Sequence, residues 1–430
     1  MDKNKRLTVW LPVIIAASIA LGIFIGNHYL SISQGKKRSY SSGNKINAIL
    51  DIIDEQYVDT VSMSKLVEST IPKIFSELDP HSVYIAAEDA SEVNEELEGS
   101  FRGVGVSFNM QTDTILVISV ISGGPAEKAG LLPFDRIISI NDSIFSGKKK
   151  NQGEIMKTLR GAKNSTVKLG VQRGNSPELL YFDVTRGDVP VNSVDVSYEA
   201  AKGIGYIKVS KFARNTYNEF ITAIAKLKQA GCTSFVIDLR GNTGGYMDAA
   251  INMINEFMPE GRLIVYTEGK SFPRSDVYAN GTGTCKDAPI VVLTDEISAS
   301  ASEIFSGAIQ DNDRGTIIGR RTYGKGLVQT QMSLSDGSEM RLTIARYYTP
   351  SGRCIQKKYE MGNTDAYDQD IYNRYMHGEF DSADSIKMDD SLKYQTVGGR
   401  TVYGGGGIMP DIFIPRDTSG VTSYYSNVVN

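Results

Sequence analysis

Ser298-Ala299-Ser300-Ala301-Ser302-Glu303 places three hydroxyls among small residues, where the apolar run Ile290-Val291-Val292-Leu293 gives way to a helix-period pattern. A serine at such a strand-to-helix turn has unpaired backbone N–H groups and the positive end of a helix beside it. That environment suits a nucleophile whose intermediate carries an oxyanion. Serine is also a common helix N-cap, and the run by itself leaves both readings open. A nucleophilic serine needs a base. The chain has three histidines, and none is placed for a Ser-His-Asp scheme: His28 adjoins an uncharged run, His377 lies in a polar stretch, and His81 follows Pro80 in a helical region. Each reads as structural or exposed. Lysine can replace histidine when burial lowers its pKa from about 10.4. Lys325, in Tyr323-Gly324-Lys325-Gly326-Leu327-Val328-Gln329, has a glycine on each side, so close backbone packing can bury its amine. A lysine in a surface turn is the competing reading.

The surrounding pattern says what must position these groups. Ile46, Leu50, Ile53 and Tyr57, then Leu66, Ile71, Ile74 and Phe75, recur at helical spacing, and Leu78-Asp79-Pro80-His81-Ser82 ends that region. Residues 95–187 change to short strands and glycine turns: Gly103–Phe108, a strand at Thr114–Val120, Asp135–Asn141, a helix at 152–160 and a strand at Val167–Val171. From residue 188 the pattern is α/β. Gly205–Val209 and Phe235–Leu239 read as strands around a helix marked by Phe220, Ala223, Ile224 and Leu227. Ala301, Ile304, Phe305, Ala308 and Ile309 mark the helix that Ser300 would open. Residues 356–396 are rich in Tyr and Asp and read as an inserted or extended surface segment. Residues 397–430 return to glycine-rich turn and strand character.

Composition bounds the remainder. The 430 residues are 41% hydrophobic and 22% charged with a formal net charge of −4, which is globular and lacks the basic excess of a nucleic-acid binder. Cys232, Cys285 and Cys354 are too widely spaced for a disulfide framework or a CxxC site, and three histidines argue against a multi-His metal centre. No metal or cofactor is implied. Residues 8–26 form 19 uncharged positions behind Lys3, Lys5 and Arg6, long enough for a single membrane helix with everything after residue 30 exported. A cleaved signal peptide is the alternative, with residues 31–43 as a linker.

Taken together, the motifs resemble the carboxy-terminal processing (tail-specific) proteases, S41-type serine proteases with a PDZ domain and a Ser-Lys dyad. The likeness covers roughly residues 45–355 and returns at 398–415. It rests on LDPHS at 78–82, GPAEKAGL at 124–131, DLRGNTGG at 238–245, SASASEIFSGAIQD at 298–311, GRRTYGKGLVQ at 319–329 and DGSEMRLTIARYYTPSGR at 336–353. The resemblance implies Ser300 as nucleophile, Lys325 as general base and Gln329 as the residue that orients the lysine. It implies an oxyanion hole from Ala301 N–H and from Gly244 or Gly245, with Gly245 favoured. Thr243 stands where the family commonly has proline. Asp238 and Arg240 are expected to hold the loop, and Glu303 to complement the helix N-terminus.

The implied architecture is α/β and multidomain: a membrane segment at 1–30, a helical region at 44–94, a PDZ-like domain at 95–187 and a protease core at 188–355. A PDZ groove adds a substrate tail as a β-strand and holds its carboxylate on backbone N–H groups, here those of Arg102, Gly103, Val104, Gly105 and Val106. Arg160 sits where related proteases carry a basic residue that couples the PDZ domain to the active site. The expected partners are protein or peptide substrates with free apolar C-termini, the membrane, and an adaptor or further copies of the chain. The expected location is the bacterial cell membrane with the catalytic part outside the cytoplasm. An inactive PDZ scaffold that binds envelope proteins is the rival reading; it is weakened because serine, lysine and glutamine are all present. An esterase lacks support because there is no G-x-S-x-G elbow.

Overall fold

The computed structural model describes residues 16–23, 42–111, 114–145 and 152–417. Contacts divide the chain into two compact units, residues 1–70 and 71–430. In the first, residues 16–23 are helical and exposed, and α1 (Ser42–Gln56) follows. Most of the uncharged run at 8–26, the linker and the tail beyond residue 417 lie outside the described residues. Among those described, no helix is long and apolar enough to cross a membrane. Next come α2 (Met63–Ser76), β1 (Val83–Ile85) and α3 (Ala87–Glu98). The helical pattern ends at Leu78–Ser82 as expected, but within the region taken as helical to residue 94 a short strand follows, because Val83–Ile85 pair with Glu339–Arg341.

Within the second unit, β2 (Ser100–Gly103) and β9 (Gly187–Pro190) pair antiparallel as a two-stranded ribbon. Between them the chain builds a separate antiparallel sheet from β3 (Val106–Gln111), β4 (Thr114–Val120), β5 (Arg136–Ile140), β6 (Ser143–Ile144), β7 (Thr166–Gln172) and β8 (Leu180–Thr185). It also carries helices α4 (Pro125–Ala129) and α5 (Gln152–Leu159). Ile115, Val117, Ile137, Val167, Leu169 and Val184 alternate into one closed apolar core with Ile155 and Leu159 of α5.

The larger sheet has the order β10-β11-β12-β15-β16-β19: β10 (Val194–Ala201), β11 (Ile204–Val209), β12 (Ser234–Asp238), β15 (Ile290–Thr294), β16 (Thr316–Gly319) and β19 (Ile412–Phe413). Apart from the β10–β11 pair, its strands are parallel. That explains why Phe235–Asp238 and Ile290–Leu293 are unbroken apolar runs with α6 (Thr216–Gln229), α7 (Met247–Asn255) and α8 (Ala301–Asp311) packed alongside. Every residue of α8 is buried. The second sheet joins β13 (Leu263–Glu268) and β14 (Ser275–Tyr278) to the hairpin β17 (Leu327–Ser333) and β18 (Glu339–Tyr348), with β1 on its edge.

Residues 356–396 lie mostly exposed, as a surface segment, but are folded and anchored to the core at several points. They contain α9 (Thr364–Met376), whose Tyr367 and Arg374 are buried. Arg374 donates to the carbonyls of Thr322 and Arg321 at 3.0 and 2.8 Å, and Lys357 Nζ lies 4.1 and 4.0 Å from the ring centroids of Tyr323 and Tyr367. A Tyr- and Asp-rich composition looks solvated, yet these tyrosines act as faces for a cation.

Candidate active site

Ser300 stands at the N-terminus of α8, at the end of the parallel strand β15, with φ 56° and ψ −113°. A non-glycine residue at positive φ is strained by about 1–3 kcal/mol and persists only where its surroundings hold it. Two buried side chains do so. The Glu303 carboxylate accepts from Ser300 N–H at 2.8 Å, and the Tyr347 hydroxyl lies 3.0 Å from the Ser300 carbonyl oxygen.

The same two side chains hold Lys325. Glu303 Oε2, which takes Ser300 N–H, also accepts from Lys325 N–H at 2.8 Å, and Tyr347 OH also meets the Lys325 carbonyl. Glu303 Oε1 accepts from Gly324 N–H at 2.8 Å and from Thr322 Oγ1 at 2.5 Å. Full burial pushes this carboxyl up from its ordinary range. Four donors converge on its two oxygens, three of them backbone N–H groups that can only donate, which favours the ionised form against that burial. Its reach beyond the helix end, to the lysine loop, was not visible in the spacing of the sequence.

The loop around Lys325 packs as its glycines require. A Cβ on Gly326 would come within 2.8 Å of Gln356 N, and Gly324 adopts φ +93° against Lys357. Lys325 is largely enclosed. Desolvation, followed by the positive charge of Arg341, lowers its pKa, while the charges of Glu303 and Asp79 act in the opposite direction. Ser300, Ala301, Gly244, Gly245, Lys325, Gln329, Arg341 and Tyr347 all line one cleft of about 770 Å³. Gln329 Nε2 donates to Leu327 O at 3.4 Å and Thr343 Oγ1 at 3.3 Å, beside a register shift between Val328 and Gln329.

The Asp238–Gly245 loop forms the facing wall. Asp238 is buried and accepts from Arg240 at 3.0 and 2.7 Å and from Tyr206 OH at 2.5 Å, which anchors the loop. Asn242 then orders its tip, accepting from Gly244 N–H on Oδ1 at 2.8 Å and from Ala299 N–H on its carbonyl at 3.0 Å. A Cβ on Gly244 would lie 2.7 Å from the Ser300 Cβ, and one on Gly245 would meet Phe212 O at 2.1 Å. The bridge to Phe212 uses Gly244 O and Tyr246 N, so Gly245 N–H faces the other way. Gly244 N–H is already engaged by Asn242. Gly245 is thus the glycine whose amide remains for a bound group.

His81 was expected to be structural or exposed. It lies behind the cleft with Nε2 3.0 Å from Tyr367 OH, and burial, with Lys325 nearby, pushes its pKa down to about 4. It is therefore neutral near pH 7. Arg341, Thr343 and Asp79 also converge here. All three sit in motifs already conspicuous in the sequence, but only the pairing of β1 and β17 with β18 shows that those motifs meet. Cys232 and Cys285 are buried, Cys354 is partly buried, and all three are free thiols. Among the described residues no group of His, Cys, Asp or Glu is arranged to hold a metal ion.

In the smaller sheet domain, Val104 is buried and its carbonyl accepts from Ala126 N at 2.7 Å, while Gly105 turns with φ +82° and its carbonyl accepts from Ile121 N at 3.0 Å. Val106 opens β3. Arg102 and Gly103 do not belong to this turn. They pair with Asp188 and Gly187 in the ribbon, and Arg102 N–H donates to Glu95 Oε1 at 3.1 Å, because the two chain passages at the base of the domain must pair. Arg160, just after α5, forms ion pairs with Glu92 at 2.9 Å and Glu95 at 3.5 Å of α3. Leu97 at the far end of α3 lines the same cleft as Ser300 and Lys325, and Glu98 accepts from Tyr246 OH, next to Gly245, at 3.1 Å.

The peptidase family S41 model matches residues 203–365, and a PDZ domain model matches residues 103–195. The chain is 34% identical over 318 residues to the carboxy-terminal processing protease CtpB of Bacillus subtilis, a match covering 73% of this chain and 66% of that protein, just under two thirds of its length. It is 33% identical over 365 residues to a probable CtpA-like serine protease of Staphylococcus aureus (strain N315), covering 83% of this chain and 72% of that one. Among solved structures, a photosystem II D1 C-terminal processing protease aligns over 87% of this chain and 94% of its own, at 25% identity and a TM-score of 0.44. By the family models and the sequence relatives the chain belongs to the carboxy-terminal processing proteases of peptidase family S41, with a PDZ domain ahead of the peptidase region.

Proposed function

We propose that the chain is a serine endopeptidase that cleaves envelope or secreted proteins near their carboxyl ends through a Ser300–Lys325 dyad. The observation that carries this reading is the Glu303 carboxylate, one of whose oxygens takes the backbone N–H of both Ser300 and Lys325. A hydroxyl and an enclosed amine are thereby held on one cleft wall, in a register set by a single buried group. Lys325 Nζ in its neutral form takes the Ser300 proton as Oγ attacks the scissile carbonyl, then returns it to the leaving amine. Ala301 N–H, at the first turn of α8, and Gly245 N–H receive the developing oxyanion. Gln329 orients the lysine. Water completes hydrolysis of the acyl-enzyme.

Selection of the tail is assigned to the PDZ domain, where the turn of Val104 and Gly105 leading into Val106 holds a terminal carboxylate. Arg160 links that domain through α3 to the cleft. Residues 8–26 serve as a single membrane span, with the catalytic part on the extracytoplasmic face. The test is cleavage of an unfolded protein substrate. Ser300→Ala and Lys325→Ala should each abolish it while leaving the fold intact, and retention of more than a few per cent of activity by either refutes the dyad.

A further inference from the structure

Asp79, of the Leu78–Ser82 motif, has no part in the steps above, yet it lies behind the lysine and accepts four hydrogen bonds. His81 N and Ser82 N donate to Oδ1 at 3.0 and 3.1 Å, Ser82 Oγ to Oδ2 at 2.5 Å, and Thr343 Oγ1 to Oδ1 at 2.8 Å. Burial alone would raise its pKa; the hydrogen bonds outweigh that and keep the carboxyl below its ordinary range. The motif is fastened to β18, since Thr343 N donates to Ser82 Oγ at 3.0 Å and Val83 pairs with Arg341.

The chemistry of these groups gives the chain of bonds a direction. An ionised carboxylate can only accept, and a threonine hydroxyl has one proton. Thr343 gives that proton to Asp79 and so must accept from its cross-strand neighbour Gln329, whose Nε2 is 3.3 Å away. Gln329 therefore turns its amide nitrogen toward Thr343 and Leu327 O, and its Oε1 points away from them. We propose that Asp79, acting through Thr343, is a positioning residue that fixes the amide of Gln329 with its oxygen toward Lys325. Gln329 Oε1 then accepts a hydrogen from the Lys325 amine, and the Nζ lone pair is left for the proton of Ser300. The inference rests on the Ser-Lys reading and extends it to a motif more than 200 residues away in the chain.

The experiment is steady-state peptidase kinetics on the full chain with Thr343→Val, Thr343→Ser, Asp79→Asn and the double variant Asp79→Asn/Thr343→Val, beside Ser300→Ala and Lys325→Ala. Thr343→Val removes the acceptor, so kcat should fall about tenfold or more with KM unchanged, as for a misoriented base. Thr343→Ser keeps the hydroxyl and should stay within about threefold of the parent in kcat. Asp79→Asn is isosteric, and its oxygen stays at the Oδ1 position, where His81 N–H and Ser82 N–H can only donate, so Thr343 keeps its acceptor and only the charge is lost. It should be milder than Thr343→Val, and the double variant should be no worse than Thr343→Val alone, since Asp79 acts on Gln329 only through Thr343. A Thr343→Val enzyme with parental kcat, or losses that multiply in the double variant, overturns the relay while Ser300→Ala and Lys325→Ala remain dead. Activity in those two controls instead removes the dyad and the relay with it. Should Asp79→Asn not fold, the contrast between Thr343→Val and Thr343→Ser decides the matter.

Discussion

Replacing Glu303 by glutamine keeps the shape of a buried side chain and removes its charge, with consequences of opposite sign for speed and for pH. The amide has one oxygen for donors that now converge on two. Its best placement puts that oxygen at the Oε2 position, which keeps the bonds from Ser300 N–H and Lys325 N–H. The NH2 then faces Thr322 Oγ1, which can rotate to accept, and Gly324 N–H, which cannot. One orphaned buried donor costs about 1–3 kcal/mol, and two retained bonds weaken by about 1 kcal/mol each on losing charge assistance. Relief of the carboxylate's desolvation offsets part of this, so the folded state should lose about 1–4 kcal/mol. The rate at the pH optimum should fall about tenfold, because the bonds that tie the two backbone N–H groups together are weakened and Gly324 N–H, next to Lys325, loses its acceptor. The Glu303 charge raises the lysine pKa, so its removal lowers that pKa further. The reactive free amine then persists to lower pH, and the acid limb of kcat/KM shifts toward acid. The assay is a pH–rate profile of parent and Glu303→Gln on one peptide, with denaturant unfolding in parallel. An acid limb that stays put or moves to higher pH, or a full rate at the optimum, refutes the reasoning.

Arg341→Gln removes a cation that depresses the Lys325 pKa, so the acid limb should move to higher pH, opposite to Glu303→Gln, in the same titration. His81, held near pKa 4 in the fold against about 6.5 in the unfolded chain, takes up its proton more readily when unfolded. Stability should therefore be full above pH 6.5 and fall as pH drops toward 4, by at most about 3 kcal/mol, and denaturant titrations of His81→Gln should show a flatter dependence in that window. Amidating the C-terminus of a peptide substrate should weaken its use below saturation by about one to two orders of magnitude, from the loss of a charge-assisted bond; equal rates for acid and amide would show that the Val104–Val106 turn does not read carboxylates. Protease added to intact spheroplasts should reach the domain beyond residue 30, and protection there would reject the exported orientation.

Much of the core was legible because parallel strands buried on both faces must be apolar runs. Phe235–Leu239 and Ile290–Leu293 announced themselves, and with them the turn that carries Ser300. Lys325 was marked by its flanking glycines, which do let neighbouring backbone close over it. What stayed hidden depends on pairing across large sequence separations. Leu78–Ser82 looked like the end of a helix, but it borders the cleft because β1 pairs with β18. Glu303 looked like a helix-capping residue, and its hold on Lys325 depends on how α8 meets the lysine loop. The 356–396 segment appeared solvated because composition cannot show that Tyr323 and Tyr367 flank Lys357. In the PDZ domain, glycines marked the turn at Val104–Gly105 but not that Arg102 belongs to the paired ribbon at its base.

The central claim is that Ser300 is made nucleophilic by Lys325. The most direct measurement is intact mass after treatment with a serine-directed fluorophosphonate, followed by peptide mapping, in the parent, Ser300→Ala and Lys325→Ala forms. The account predicts one adduct, on Ser300, at neutral pH in the parent and none in either variant. Labelling at another residue, or equal labelling of Ser300 without Lys325, would contradict it.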